Sequence, residues 1–91
     1  MTLHPDPGKQ GVRIERRKYD LVAQAIQEVI LQHGEITFGY LMQAVEEKLQ
    51  GRMEGSISWY AITVKLDLEA RGKIVRVPKA QPQRLRLVEP L

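Results

Sequence analysis

The last third of the chain carries a run of positive charges with no acidic residue among them. Between positions 71 and 88 every charged residue is a lysine or an arginine: Arg71, Lys73, Arg76, Lys79, Arg84 and Arg86. Guanidinium and ammonium groups arranged in this way can contact the phosphates of a nucleic acid without reading its sequence. The alternative is an ordinary solvated surface that has no partner.

The whole chain has a formal net charge of +3, and the charges outside positions 71–88 are unevenly distributed. A second basic group contains Arg13, Arg16, Arg17 and Lys18, with only Glu15 as an acid among them. The middle is acidic, with Glu28, Glu35, Glu46, Glu47 and Glu54. Such asymmetry favours an oriented contact with a polyanion, although a solvated surface is the stronger interpretation of residues 16–18.

The sequence offers no arrangement of side chains suited to catalysis. Cysteine is absent, and the two histidines, His4 and His33, lie far apart. Glu46 and Glu47 are adjacent, so on a helix they point in different directions. There is no glycine-rich phosphate loop and no nucleophile beside a base. We therefore expect no enzyme activity, no catalytic residue, no metal ion and no cofactor.

A chain of 91 residues is expected to form one domain. Residues 1–13 contain prolines and glycines without periodicity and are interpreted as a flexible arm. The domain is assigned to residues 14–88, and residues 89–91 form a short tail. No apolar run is long enough for a membrane span or a signal peptide, which predicts a cytoplasmic protein.

Two amphipathic helices are predicted in the first half of the chain. The first runs from about Arg16 to His33, with Gly34 as its C-terminal cap, and its apolar stripe is Tyr19, Val22, Ala25, Ile26, Val29 and Ile30. Thr37 is the predicted N-cap of the second helix, which Gly51 ends, and its stripe is Phe38, Leu41, Met42, Val45 and Leu49. The connector 35–37 could add a short strand to a small sheet.

A third helix and a hairpin are predicted in the second half. The helix runs from Trp59 to Arg71, is capped by Ser58 or alternatively Ser56, and stops at Gly72. Two strands follow, at 73–77 and 84–88. Alternation assigns the inward face to Val75, Val77, Leu85 and Leu87. It places Arg84 and Arg86 on the opposite face.

The third helix has a core face and an unusually apolar opposite face. The spacing places Ala61, Val64 and Leu68 on the core stripe, with Ile57 before it and Ile74 after it. On the far side it places Trp59, Ile62, Thr63, Leu66 and Ala70. A helix that reads base edges usually offers Arg, Lys, Asn, Gln or Ser, which are scarce here. Three explanations stay open: packing beneath the second helix or the arm, a dimer or partner surface, and direct base contact by Trp59, Tyr60 and Thr63.

The order of helix, glycine stop and basic hairpin resembles the recognition helix and wing of bacterial winged helix-turn-helix regulators. The matching segment is Thr63 to Val77, and the likeness extends over about residues 16–88. The chain is also similar to a small, largely uncharacterised bacterial family that shares three segments: the arm His4 to Lys9, the pair Trp59-Tyr60 and the stretch Pro82 to Leu87. The fold implied is α+β, with three helices and a C-terminal β-hairpin wing.

The resemblance implies a transcriptional regulator that binds double-stranded DNA. The positions that match for DNA contact are Ser58, Tyr60, Thr63 and Lys65 on the helix and Arg76, Lys79, Arg84 and Arg86 on the wing. We expect most of the affinity to come from phosphate contacts and the protein to form a homodimer. The alternative is a winged-helix module for protein interaction or dimerisation, with Trp59, Ile62 and Leu66 as its interface.

Overall fold

The computed structural model describes residues 14–79 and 81–88 of the chain. Its elements follow in the order α1 (Arg16–His33), β1 (Glu35–Thr37), α2 (Phe38–Leu49), α3 (Ile57–Ala70), β2 (Ile74–Arg76) and β3 (Arg84–Leu87). The three helices and the α+β class agree with the sequence prediction. The predicted arm at 1–13 and the tail at 89–91 lie outside the described residues.

The boundary between α1 and α2 lies where the sequence predicts it. Gly34 follows α1 with a φ of 76°, a left-handed conformation that glycine adopts without strain. Its amide donates a hydrogen bond to the Ile30 carbonyl over 2.7 Å. The Thr37 side chain accepts a hydrogen bond from the Tyr40 amide and so caps α2.

The third helix begins two residues earlier than predicted. Ser56 has the extended backbone that an N-cap requires, and its hydroxyl accepts a hydrogen bond from the Trp59 amide over 3.2 Å. Ser58 lies inside the first helical turn. The choice of Ser58 as the cap is therefore wrong, and the alternative, Ser56, is confirmed.

The core lies where the three helices and the sheet meet. Each helix buries the stripe that its periodicity predicts, and the hydrophobic helix residues that are at most 1% exposed are Val22, Ile26, Ile30, Leu41, Val45, Leu49, Ala61, Val64 and Leu68. The sheet adds Ile36, Ile74 and Leu85, which are also buried. A hairpin alone is barely stable in water, so this burial holds the hairpin against the helices.

The three strands form one antiparallel sheet in which β3 lies between β1 and β2. Ile36 stands opposite Leu85, which confirms that the connector before α2 supplies a strand. The observed strands are shorter than predicted, because β2 ends at Arg76 and β3 ends at Leu87.

The inward face of β2 differs from the one that alternation predicts. Residues that stand opposite each other on antiparallel strands share one side of the sheet. Ile74 stands opposite Leu87, whereas Val75 stands opposite Arg86. Ile74 is therefore the buried residue of β2, whereas Val75 lies on the outer side. Val77, whose amide donates a hydrogen bond to the Arg84 carbonyl, follows Val75 onto that side, so the prediction of an inward face is wrong for both valines. A strand of three residues is too short for alternation to fix its phase.

Candidate functional site

Helix α3 presents an apolar stripe on the side away from the core. Trp59 and Ile62 are 46% and 41% exposed, and Leu66 is half-buried. Because these residues are three and four positions apart, they lie in one line along the helix. The explanation that the stripe packs beneath α2 is therefore wrong. The other form of that explanation, in which the stripe packs against the arm at 1–13, involves residues outside the described part of the chain.

The other predicted contacts on α3 are only partly available to a ligand. Ser58 is exposed, but the Thr63 hydroxyl donates a hydrogen bond to the Trp59 carbonyl over 2.8 Å. Tyr60 is half-buried, and its hydroxyl accepts a hydrogen bond from Lys18 Nζ over 3.3 Å. The Lys18 ammonium also lies 5.2 Å from the centre of the Tyr60 ring, a cation–π contact.

Lys65, a predicted phosphate contact, is buried instead. Its side chain is 5% exposed, and Nζ lies 3.4 Å from a carboxylate oxygen of Glu69. The ammonium also stands 4.5 Å from the centre of the Phe38 ring at the start of α2. Burial lowers the pKa of Lys65, and the nearby Glu69 carboxylate opposes that shift. Lys65 therefore joins packed elements together and does not lie on the exposed face.

Arg76 is paired with the same carboxylate. Its Nε and Nη2 atoms each donate a hydrogen bond to Glu69 over 2.9 Å, which makes the contact bidentate. The sheet register explains this, because Arg76 stands opposite the buried Leu85 and so lies on the side of the sheet that faces the helices. The guanidinium links β2 to α3.

The remaining hairpin cations fall into two classes. Arg84 donates a hydrogen bond to Glu35 on β1 over 2.9 Å, and both side chains are partly exposed. Arg86 and Lys79 are exposed, and neither forms an ion pair within the described residues. Lys79 lies in the turn with a φ of 63°, which is uncommon for a residue with a side chain.

A buried polar network that the sequence reasoning missed joins α1 to α3. The Asp67 side chain is fully buried, accepts a hydrogen bond from the Tyr19 hydroxyl, and pairs with Arg71 over 2.8 Å. Burial, together with the hydrogen bond to Asp67, raises the pKa of Tyr19 to about 12. The same contact with Asp67 raises the pKa of Arg71. This network fixes α1 against α3.

A comparison with protein-family models matches residues 1–85 to the family of unknown function DUF6958. The chain belongs to the DUF6958 family. A comparison with curated proteins gives no match for this DUF6958 chain.

Two further features of the DUF6958 chain bear on the kind of site it offers. None of its described helices combines the length and apolar character that a membrane span needs. In the part of the chain that the structure describes, histidines and carboxylates form no group that could hold a metal ion.

Six of the eight predicted DNA-contact residues of the DUF6958 chain thus separate into three groups, and Tyr60 and Thr63 form the hydrogen bonds within the molecule described above. Ser58, Lys79 and Arg86 are exposed, whereas Lys65 is buried. Arg76 and Arg84 are hydrogen-bonded to carboxylates of the same molecule. The sequence reasoning had not paired these two arginines with their carboxylates, Glu69 and Glu35. The four-residue spacing of Lys65 and Glu69 was a signal for one of these contacts, since such pairs are neighbours on a helix.

Proposed function

We propose that the chain is a winged-helix DNA-binding protein that contacts duplex DNA with α3 and the hairpin and acts in transcription regulation. The element order supports this, because a helix is followed directly by an antiparallel hairpin, and β1 supplies the third strand of the sheet. In helix-turn-helix proteins the second helix of the motif lies in the major groove. In this proposal α3 has that role and the hairpin is the wing.

The observation that carries the proposal is the pair of exposed hairpin cations, Lys79 and Arg86. A cation without a carboxylate partner can bind a phosphate without first breaking an ion pair, and its binding releases counterions from the DNA. Arg76 and Arg84 must first leave Glu69 and Glu35. We therefore assign the main phosphate contacts of the wing to Lys79 and Arg86.

In this proposal the exposed face of α3 gives the protein only a weak preference for particular DNA sequences. The charged residues of the helix are paired with one another, as Lys65 is with Glu69 and Asp67 with Arg71. The exposed side offers mainly Trp59 and Ile62. Apolar side chains can contact the thymine methyl group but cannot make the bidentate hydrogen bonds that distinguish bases best. Most of the affinity then comes from the DNA backbone.

The test is a fluorescence anisotropy titration of the protein with labelled random-sequence duplex DNA at two salt concentrations. Backbone-dominated binding predicts an affinity that falls steeply as salt rises, because each phosphate contact contributes a slope of about 0.9. Absence of binding at the lower salt concentration would contradict the proposed function.

A second candidate is a module for protein interaction or homodimer formation through α3. The stripe of exposed Trp59 and Ile62 with half-buried Leu66 favours it, because tryptophan is enriched at protein interfaces and the stripe carries no charge. The pairing of Arg76 and Arg84 within the molecule also favours this candidate, since it reduces the positive charge available to DNA.

A further inference from the structure

A cleft with a volume of about 580 Å³ opens between the start of α1 and the loop that joins α2 to α3. Arg17, Lys18 and Leu21 line it from α1, and Arg52 and Met53 line it from the loop. Small-molecule sites have volumes of roughly 300–1,000 Å³. The cleft is therefore large enough for an organic molecule.

The cations of this cleft differ from most others in the chain. Among the described arginines, Arg17, Arg52 and Arg86 are those without an ion pair to a carboxylate. Two of these three, Arg17 and Arg52, line the same cleft. A hydrogen bond from Lys48 lowers the pKa of Glu28, and the charge of Arg52 adds to that shift. Neither Arg17 nor Arg52 forms a salt bridge within the described residues, so both guanidinium groups can donate hydrogen bonds to an anion.

Two carboxylates also line the cleft, and they limit the charge of the ligand. Glu15 and Glu54 are exposed at its wall, so among the described residues of the lining three cations stand against two anions, a net charge of one positive. A ligand with a single negative charge balances that lining, whereas a polyphosphate would leave uncompensated negative charge. The charge balance favours a carboxylate.

The apolar residues of the lining indicate the chemical character of the ligand beyond its carboxylate. Leu21 and Met53 are half-buried and pack against the core cluster, and they provide an apolar surface inside the cleft. Binding pockets commonly combine such surfaces with a few polar groups that fix orientation. A carboxylate on an aromatic or aliphatic body fits both parts of the lining.

The cleft is connected to the exposed face of α3 through one tyrosine. Lys18 donates a hydrogen bond to the Tyr60 hydroxyl, and the Tyr60 ring packs edge-on against Trp59 with 5.0 Å between ring centres. Gly55 in the same loop is also close, since a Cβ atom there would lie 3.0 Å from the Tyr60 ring. A ligand that draws Lys18 toward itself would alter the surroundings of Trp59.

We propose that this cleft binds a small organic carboxylate with an apolar body, that Arg17 and Arg52 hold the carboxylate, and that Trp59 responds through Lys18 and Tyr60. The inference is independent of the DNA-binding proposal, because the cleft could bind such a ligand whether or not α3 contacts DNA.

The test is an amide nitrogen–proton NMR titration of the full chain with 2-naphthoate. Saturable shifts are expected at Arg17, Lys18 and residues 51–54, and at the indole N–H of Trp59, whose resonance is unambiguous because the chain has one tryptophan. The variant Arg17→Ala/Arg52→Ala is expected to bind about tenfold more weakly or worse, because it loses charged hydrogen bonds. The control Arg16→Ala/Lys48→Ala loses the same charge outside the cleft lining and is expected to bind like the wild type.

Two further probe molecules test the charged part and the apolar part of the ligand separately. Acetate carries the charge without the apolar body, and 2-naphthylmethanol carries the body without the charge, so both are expected to bind more weakly than 2-naphthoate. Equal binding of acetate would indicate an adventitious ion only and would overturn the proposal. Unchanged affinity in the Arg17→Ala/Arg52→Ala variant would overturn it too, and an unshifted Trp59 indole would overturn the transmission to α3.

Duplex DNA provides the remaining arm of the experiment. If DNA shifts the same cleft amides and the Arg17→Ala/Arg52→Ala variant flattens the salt dependence of DNA binding, the cleft is a phosphate-backbone contact and the small-carboxylate proposal is wrong. If DNA binds without affecting those amides, the cleft remains a separate site. A protein that binds 2-naphthoate but no DNA would leave this inference standing while the proposed function fails.

Discussion

Arg76 donates two hydrogen bonds to the carboxylate of Glu69, each over 2.9 Å, and so ties strand β2 to helix α3. Lys65 approaches the same carboxylate from the helix, and its ammonium also lies over the Phe38 ring of α2. The Glu69 carboxylate and its two partners therefore connect α2, α3 and β2. This linkage fixes the hairpin relative to α3, which is the placement that the proposed DNA surface requires.

Replacement of Glu69 by glutamine is expected to destabilise the fold. Glutamine keeps the shape of the side chain but leaves Lys65 buried without a counter-charge, and Arg76 loses its bidentate partner. Removing one partner of a buried ion pair costs about 3 kcal/mol of unfolding free energy. Urea denaturation of wild type and Glu69→Gln measures the difference.

The double variant Lys65→Met/Glu69→Gln is the control for that experiment. Methionine removes the buried charge while keeping a side chain of similar length, so most of the lost unfolding free energy is expected to return. A Glu69→Gln protein as stable as the wild type would show that Lys65 does not depend on this carboxylate.

Replacement of Glu35 by glutamine is expected to strengthen the salt dependence of DNA binding. The change releases Arg84 from its 2.9 Å contact and makes a further cation available on the outer side of the sheet. One added phosphate contact steepens the slope of log affinity against log salt by about 0.9. Glu47→Gln on α2 removes the same charge from an exposed position elsewhere. Equal slopes for the two variants would argue against a role of Arg84.

The pKa of Tyr19 predicts a loss of stability at alkaline pH. In the unfolded chain the phenol titrates near its ordinary value of 10.0, whereas in the fold its pKa is about 12. Between these values the folded state binds more protons, so the contribution of Tyr19 to stability falls as pH rises. Urea denaturation between pH 9 and about 12 is expected to show that the free energy of unfolding falls less with pH for Tyr19→Phe than for wild type. Equal falls in the unfolding free energy of the two proteins would contradict the raised pKa of Tyr19.

The dimer candidate makes a prediction about Ile62. If the stripe on α3 is a contact between two copies, Ile62→Asp is expected to give a folded monomer, because Ile62 is 41% exposed and lies outside the core. Sedimentation of wild type and variant tests this. Leu31→Asp is the matched control, since Leu31 is a more exposed apolar residue on a different helix. A wild type that sediments as a monomer would contradict the dimer candidate.

The helices and the core could be predicted from the sequence because their signals are local. Stripes such as Val22, Ile26 and Ile30 repeat with the helical period, and Gly34 and Thr37 mark the helix ends. The phase of β2 could not be predicted in the same way. Its three residues alternate too briefly, and only the burial of Ile74 in the folded core shows which side faces inward.

The pairing of the basic residues could be predicted only in part. Lys65 with Glu69, and Asp67 with Arg71, are four residues apart on one helix, so their contacts follow from local geometry. Glu35 and Arg84 are far apart in the chain and meet only because β1 pairs with β3. A count of positive charges in the sequence therefore overstates how many are available to a partner.

The most direct test of the account compares the salt dependence of DNA binding between wild type and Lys79→Ala/Arg86→Ala. If these two exposed cations contact phosphates, the slope of log affinity against log salt is expected to flatten by about 1.8, which is 0.9 for each contact. The control Arg16→Ala/Lys48→Ala removes the same charge from residues that pair with Asp20 and Glu28, and its slope should stay close to that of the wild type. Equal slopes for wild type and Lys79→Ala/Arg86→Ala would contradict the proposed role of the hairpin.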